Sequence, residues 1–74
     1  MTVSLDSAPI GVRARVKNIS DGNIGKKLME MGIVPGTEIF VEGMAPLGDP
    51  IKISVRGYKL ALRKNEAKRI LAEI

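Results

Sequence analysis

Few residues of this 74-residue chain have the types and spacing that chemistry needs. Ser4, Ser7, Ser20 and Ser54 offer hydroxyls, but a serine triad needs a histidine or an equivalent base, and the chain has no histidine. The run Gly22-Asn23-Ile24-Gly25-Lys26-Lys27 has glycines and lysines in the manner of a phosphate loop. It lacks the full spacing of that motif and does not follow its strand through a glycine-rich turn, so it reads as a helix start with solvated lysines. The acids Asp6, Asp21, Glu30, Glu38, Glu42, Asp49, Glu66 and Glu73 carry the hard oxygens that divalent cations take, yet they are spread along the chain. Neither cysteine nor histidine is present to complete a tight transition-metal site. The expectation is no catalytic residue and no tightly bound cofactor, with weak divalent-metal binding at the surface left open.

Twelve Lys and Arg against eight Asp and Glu give a net charge of +4. Such a balance suits nucleic acid, an anionic membrane face or an acidic protein, and equally suits plain solubility. The stripe Arg13-Arg15-Lys17 resembles a phosphate-tracking face, but single-strand binders add aromatic platforms for stacking. Phe40 and Tyr58 are the only aromatics, which argues against nucleic acid and against a proline-rich peptide groove alike. What remains is contact with protein. Met29 lies off the core face of its helix, and Met44, Pro46 and Leu47 fall in a loop with no evident reason for burial. Methionine adapts to irregular partners, and Arg13, Lys26 and Lys27 would supply electrostatic steering.

The elements that position these residues follow from periodicity. One domain over residues 1–74 is all that the length permits, and a chain this short buries only about 60% of its unfolded surface. Residues 12–16 alternate, with Val12, Ala14 and Val16 inward and Arg13 and Arg15 outward, as a half-buried strand does. Leu5 and Ala8-Pro9 suggest a lead-in turn whose leucine plugs the core. A helix should begin at Ile19-Ser20-Asp21, with Ser20 as cap, Asp21 near the positive end of the dipole and Ile19 stapled to Ile24. Ile24, Leu28 and Met31 then recur on its core face. Gly22 and Gly25 weaken that helix on propensity, so packing must hold it.

Residues 28–37 predict their own geometry. With Gly32 at C′, Ile33 falls at C″ and Leu28 at C3, the positions that meet in a Schellman cap. Val34-Pro35-Gly36-Thr37 suits a type II turn. Alternation returns over 37–41 through Ile39 and Val41, a loop occupies 43–50, and strands follow through Ile51, Ile53 and Val55 and through Tyr58, Leu60 and Leu62. Arg56-Gly57 turns between them. Glu38 and Glu42, flanking Phe40, should pair across strands with Arg13, Arg15 or Lys17. One helical turn over 65–69, capped by Asn65, and a closing strand over 70–74 complete a mainly β fold. It is a small SH3-like barrel of about five strands, with one short helix between the first two strands and a helical turn before the last. Closure would remove most exposed edges.

Three blocks of this chain resemble the FeoA family. They are Leu28-Met29-Glu30-Met31-Gly32-Ile33-Val34-Pro35-Gly36-Thr37, then Ala45-Pro46-Leu47-Gly48-Asp49-Pro50-Ile51, then Gly57-Tyr58-Lys59-Leu60-Ala61-Leu62-Arg63-Lys64-Asn65-Glu66-Ala67. They fall in the family's order and spacing, and the resemblance spans nearly the whole chain. The resemblance implies an SH3-like barrel acting as the small cytosolic accessory of the bacterial ferrous iron transporter. The large partner in that system, FeoB, carries a cytosolic GTPase domain joined to a membrane permease. A related domain forms the C-terminal part of iron-dependent repressors.

The expected function is a non-enzymatic regulatory subunit that touches FeoB through Arg13, Lys26, Lys27, Met29, Met44, Pro46 and Leu47. Other readings are a GTPase-activating protein using Arg56 or Arg63 in trans, a nucleic-acid-binding barrel, and a metal-sensing domain. No apolar run approaches the ~20 residues of a membrane helix, and the N-terminus lacks the pattern of a signal peptide. A cytoplasmic location follows as an expectation, on the inner face of the membrane only through the partner. Residual edge strands leave a homo-oligomer open.

Overall fold

The computed structural model describes residues 1–20 and 22–74; Asp21, expected at the start of the helix, lies outside the described residues. Six strands form one antiparallel sheet, β1 (Thr2–Ser4), β2 (Arg13–Ile19), β3 (Glu38–Met44), β4 (Ile51–Val55), β5 (Tyr58–Leu62) and β6 (Ile70–Glu73). A 3-10 turn (Leu5–Ser7) follows β1, helix α1 (Asn23–Glu30) separates β2 from β3, and helix α2 (Lys64–Ala67) precedes β6. The strand order is β1-β6-β2-β3-β4-β5. The sheet is therefore open, with β1 and β5 at its edges, rather than a barrel closed by strand pairing.

Alternation places the core as the sequence predicts. Ala14, Val16, Ile39, Val41, Ile51, Ile53, Val55, Leu62, Ile70 and Ala72 are buried, and their strand neighbours Arg13, Arg15, Glu38 and Lys52 are exposed. Two bulges break the period, one between Val16 and Asn18 and one between Val41 and Gly43. An extra residue bends a strand and resets which side chains face inward. This is how β2 runs on to Ile19 with that residue buried.

The helix ends where expected. Gly32 has φ +92°, the Ile33 N–H donates to the Leu28 carbonyl at 3.0 Å, and the Gly32 N–H donates to the Met29 carbonyl at 3.0 Å. Those two bonds are the 6→1 and 5→2 pair of a Schellman cap. The Thr37 N–H closes on the Val34 carbonyl at 3.0 Å with Gly36 at φ +92°, completing the type II turn.

Five local expectations need correction. The expected count of about five strands gains a sixth: residues 2–4 are too few to show a period, and pairing of Val3 with Ala72 makes them β1. Helix α1 begins at Asn23 behind Gly22 at φ +112°, so Ser20 does not cap it; the Ser20 N–H instead donates to the Arg69 carbonyl at 2.9 Å. Ile19 is the end of β2, paired with Ile70, and joins the core there rather than by stapling the helix. β3 extends to Met44, which pairs with Ile51, so Met44 is a strand end and not a loop residue. Asn65 does not cap α2: the Arg63 N–H is satisfied by Glu66 Oε1 at 2.9 Å and the Lys64 N–H by Asp49 Oδ1 at 3.1 Å.

Candidate functional site

The residues expected to meet a partner occupy three surfaces, each held by different physics. On α1, Leu28 is fully buried, Ile24 and Met31 pack against the core, and Met29 is 50% exposed beside exposed Lys26 and Lys27. Two contacts outside the helix fix its pose. Gly25 is buried, and a Cβ built there would lie 1.9 Å from the Ser20 carbonyl oxygen, so only glycine lets the helix come this close to the end of β2. At the other end, the Tyr58 hydroxyl on β5 donates to the Met31 carbonyl, satisfying one of the orphan acceptors of the last turn. Lys27 reaches Glu66 of α2 at 3.5 Å, a surface pair of small energetic weight.

The second surface is the loop after β3. The Ala45 N–H donates to the Pro50 carbonyl at 3.0 Å and the Gly48 N–H to the Ala45 carbonyl at 2.7 Å, across a cis Asp49-Pro50 bond. With Asp49 also holding the first turn of α2, the loop is tied at both ends. Its tip presents exposed Pro46 and Leu47, the latter 95% exposed, and Met44 stands at its base.

Arg13 belongs to neither group. It lies on the outward face of the sheet, where it meets Glu38 at 3.3 Å and its guanidinium sits 5.7 Å from the centre of the Phe40 ring. Arg15 also approaches Glu38, at 4.0 Å, and donates to the Gly36 carbonyl at 3.1 Å. Glu38 therefore forms the expected cross-strand pairs; Glu42 enters none of the ion pairs among the described residues. Lys17 pairs instead with Glu73, at 3.6 Å. The structure thus leaves Lys26, Lys27 and Met29 exposed on α1, with Lys27 turned toward α2 on the flank away from Met29, because helix residues two apart do not share a face. It places Met44, Pro46 and Leu47 around one loop and assigns Arg13 to a third surface.

Among the described residues, Glu73 is the one group whose acidity clearly shifts. Its hydrogen bond from the N-terminal ammonium, then that from the Thr2 hydroxyl, hold its carboxyl below the ordinary glutamate value. A carboxylate stabilised in this way contributes fully at neutral pH, and the contribution fades as pH falls from the ordinary pKa of about 4.3 through the lower folded value. The expected result is a urea midpoint that falls more steeply below about pH 4.3 in the parent protein than in Glu73→Gln. Parallel profiles would show that the terminal cluster carries no linkage.

Among the described residues, no three acidic side chains gather as ligands for a cation, and no helix is long and apolar enough to cross a membrane. Sequence reasoning missed Gly25, Tyr58 and Asp49 as positioning residues. Gly25 did stand out, as a weak spot for helix propensity, and that was its only signal.

Comparison with known proteins gives this geometry its context. The Fe(2+) transport protein A/Fe(2+) transporter FeoB fusion protein of Porphyromonas gingivalis (strain ATCC BAA-308 / W83) is 38% identical over 53 residues, which is 72% of this chain and 6% of the fusion's length. An FeoA-like protein of Clostridium acetobutylicum superposes with a TM-score of 0.93 at 47% identity, covering 99% of this chain and 86% of the other. FeoA of Stenotrophomonas maltophilia, solved with zinc and described as an SH3-domain protein proposed to activate bacterial ferrous iron transport, superposes with a TM-score of 0.82 at 32% identity, covering 99% and 89%. The fold is thus SH3-like, with its sheet left open. The FeoA domain model matches residues 3–74, and the chain belongs to the FeoA domain family.

Proposed function

We propose that this protein is a non-enzymatic regulatory subunit of a ferrous iron transporter, docking on an FeoB-type GTPase-permease from the cytosolic side. The observation that carries this reading is the fusion relative, in which a region resembling this chain is joined to FeoB in one polypeptide. Joining two modules raises their effective concentration and is useful where they must touch. The domain would act by population shift, binding one transporter conformation better than another, because only a differential affinity biases an equilibrium. Its location is the cytoplasm. No tightly bound cofactor is required, and divalent cations would bind at most weakly to its scattered acids.

The docking surface in this reading is the α1 face and the loop tip. Met29 and Leu47 are the apolar anchors, with Met44 and Pro46 beside them; Lys26, Lys27 and Arg13 steer. Charge reversal at both lysines combined with Leu47→Asp should weaken capture of the intact transporter by about tenfold or more, the loss expected when an anchor of more than ~1.4 kcal/mol is removed. The charge changes alone should mainly lower the association rate and its salt dependence. Unchanged capture by the triple variant would remove this surface from consideration. Adding the purified protein to the isolated GTPase domain should leave hydrolysis unchanged; an accelerated rate abolished by Arg56→Ala or Arg63→Ala would replace the docking reading with a catalytic one.

A further inference from the structure

We propose that the outward face of the sheet carries a docking cleft for an acidic peptide segment, with Arg13 and Arg56 as its carboxylate-binding pair. A groove of about 430 Å³ opens there, lined by Arg13 of β2, Glu38 and Phe40 of β3, Ser54 of β4, and Arg56 and Gly57 of the turn between β4 and β5. The register explains the assembly: Arg13 stands opposite Phe40 and Phe40 opposite Ser54, so three strands contribute adjacent side chains to one face. This proposal does not depend on the helix-and-loop surface described above.

Two features mark the groove as more than a gap between solvated side chains. The first is the backbone of Arg56. It has φ +49°, followed by Gly57 at +87°, and is the one non-glycine residue with positive φ among the described residues. Tight hairpin turns with two positive φ angles favour asparagine, aspartate or glycine at this position. A side chain in the left-handed region meets steric repulsion that glycine avoids, and backbone strain of this kind clusters at functional sites. An arginine here points to a use for its side chain. The second is orientation and availability. Arg13 rests on the Phe40 ring with its guanidinium also meeting Glu38 at 3.3 Å, a surface pair that an incoming carboxylate can share or exchange, while Arg56 enters none of the ion pairs among the described residues.

The lining also selects among anions. A guanidinium presents a planar fork that matches a carboxylate in bidentate geometry. Glu38 is the single acid of the groove, and its charge opposes a phosphate dianion more than a singly charged carboxylate. The Phe40 ring offers an apolar patch for a neighbouring peptide side chain. The occupant that fits is an acidic stretch of a partner protein with apolar residues between its acids.

A titration of the uniformly ¹⁵N-labelled protein at low salt tests this. The probe is an acetylated, amidated pentapeptide of alternating glutamate and leucine, run beside its glutamine counterpart and beside inorganic phosphate. The Arg13 and Arg56 Nε–H signals and the amides of Phe40, Ser54 and Gly57 should shift saturably with the acidic peptide alone. Arg13→Gln and Arg56→Asn should each weaken binding by about tenfold, the scale of one charge-assisted pair. Arg56→Asn should at the same time raise Tm by about 4 °C or more, because asparagine accepts the turn geometry. The proposal is overturned by an absence of saturable shifts, by equal binding of the glutamine peptide, or by tighter occupation of the same residues by phosphate. It is also overturned if Arg56→Asn binds as the parent does or lowers Tm, since the arginine would then be kept for the fold.

Discussion

Alanine at position 25 should cost this protein a large share of its stability. The ordinary expectation has the opposite sign: within a helix, glycine to alanine gains about 1 kcal/mol from propensity alone. Here the new methyl would stand 1.9 Å from the Ser20 carbonyl oxygen, 3.1 Å from the Ser20 carbonyl carbon and 3.4 Å from Ile19 Cγ2. The first two neighbours are backbone, and Ser20 is held by its own N–H bond to Arg69 at 2.9 Å, so neither can yield like the end of a flexible side chain. Relief requires α1 to move away from β2, and that withdraws Leu28 from the core. Overpacking of this kind costs about 3 kcal/mol or more. A chain of this length has only roughly 4–11 kcal/mol in total. Thermal unfolding should show Tm lowered by at least about 12 °C, at 4 °C or more per kcal/mol for a domain this small. Gly43→Ala is the control, since no atom lies within 4 Å of where its new methyl would stand and its φ is not in the left-handed region; its Tm should stay within a few degrees. A Gly25→Ala protein as stable as the parent would mean that the close approach of α1 to β2 is wrong.

Leu28→Ala should be the other severe change. Leu28 and Gly25 are the two buried residues of α1, and Leu28 is fully enclosed. Truncation removes its transfer free energy and leaves a cavity, together about 2–5 kcal/mol. The site matters beyond its size. The side chain also supplies the apolar contact between C3 and C″ that accompanies the Schellman cap, with Ile33 as its partner. The loss should therefore concentrate in α1, and hydrogen exchange of its amides should accelerate more than that of β3 and β4. Leu28→Met, nearly equal in volume, should cost less than about 1.5 kcal/mol. Because Lys26, Lys27 and Met29 ride on this helix, loosening it should weaken transporter capture without altering any contact residue. Equal acceleration of exchange everywhere would show that α1 opens only with the whole fold.

The Gly32 cap and the Pro35-Gly36 turn are legible in the sequence because their partners lie within five residues of one another. Leu28 meets Ile33, and Val34 meets Thr37; the bonds follow from residue type and spacing without any further structure. The same holds for the alternation through Ile39 and Val41, through Ile51, Ile53 and Val55, and for the exposure of Met29. The three motif blocks that resemble the FeoA family are rich in such turn formers, so the family is readable even though its contact surface is not.

What tertiary structure decided are the features whose partners lie far apart along the chain. Thr2–Ser4 has no strand pattern of its own and becomes a strand through pairing with β6. The start of α1 escapes a local reading because Ser20 has a cap's chemistry but is held beside Arg69, and the helix begins beyond it at Asn23, behind Gly22. Asp49 caps α2 from another loop, where Asn65 is the local choice. Gly25 changes from a weak helix former to a required contact once β2 lies beside it. Arg13 and Arg56 share a groove only because two strand-pairing registers carry β2 across β3 to the turn after β4. Local hydrogen bonds and the choice of face are set by neighbours in sequence; close approach and shared grooves are set by which surfaces must be buried together, and that is settled only when the sheet assembles.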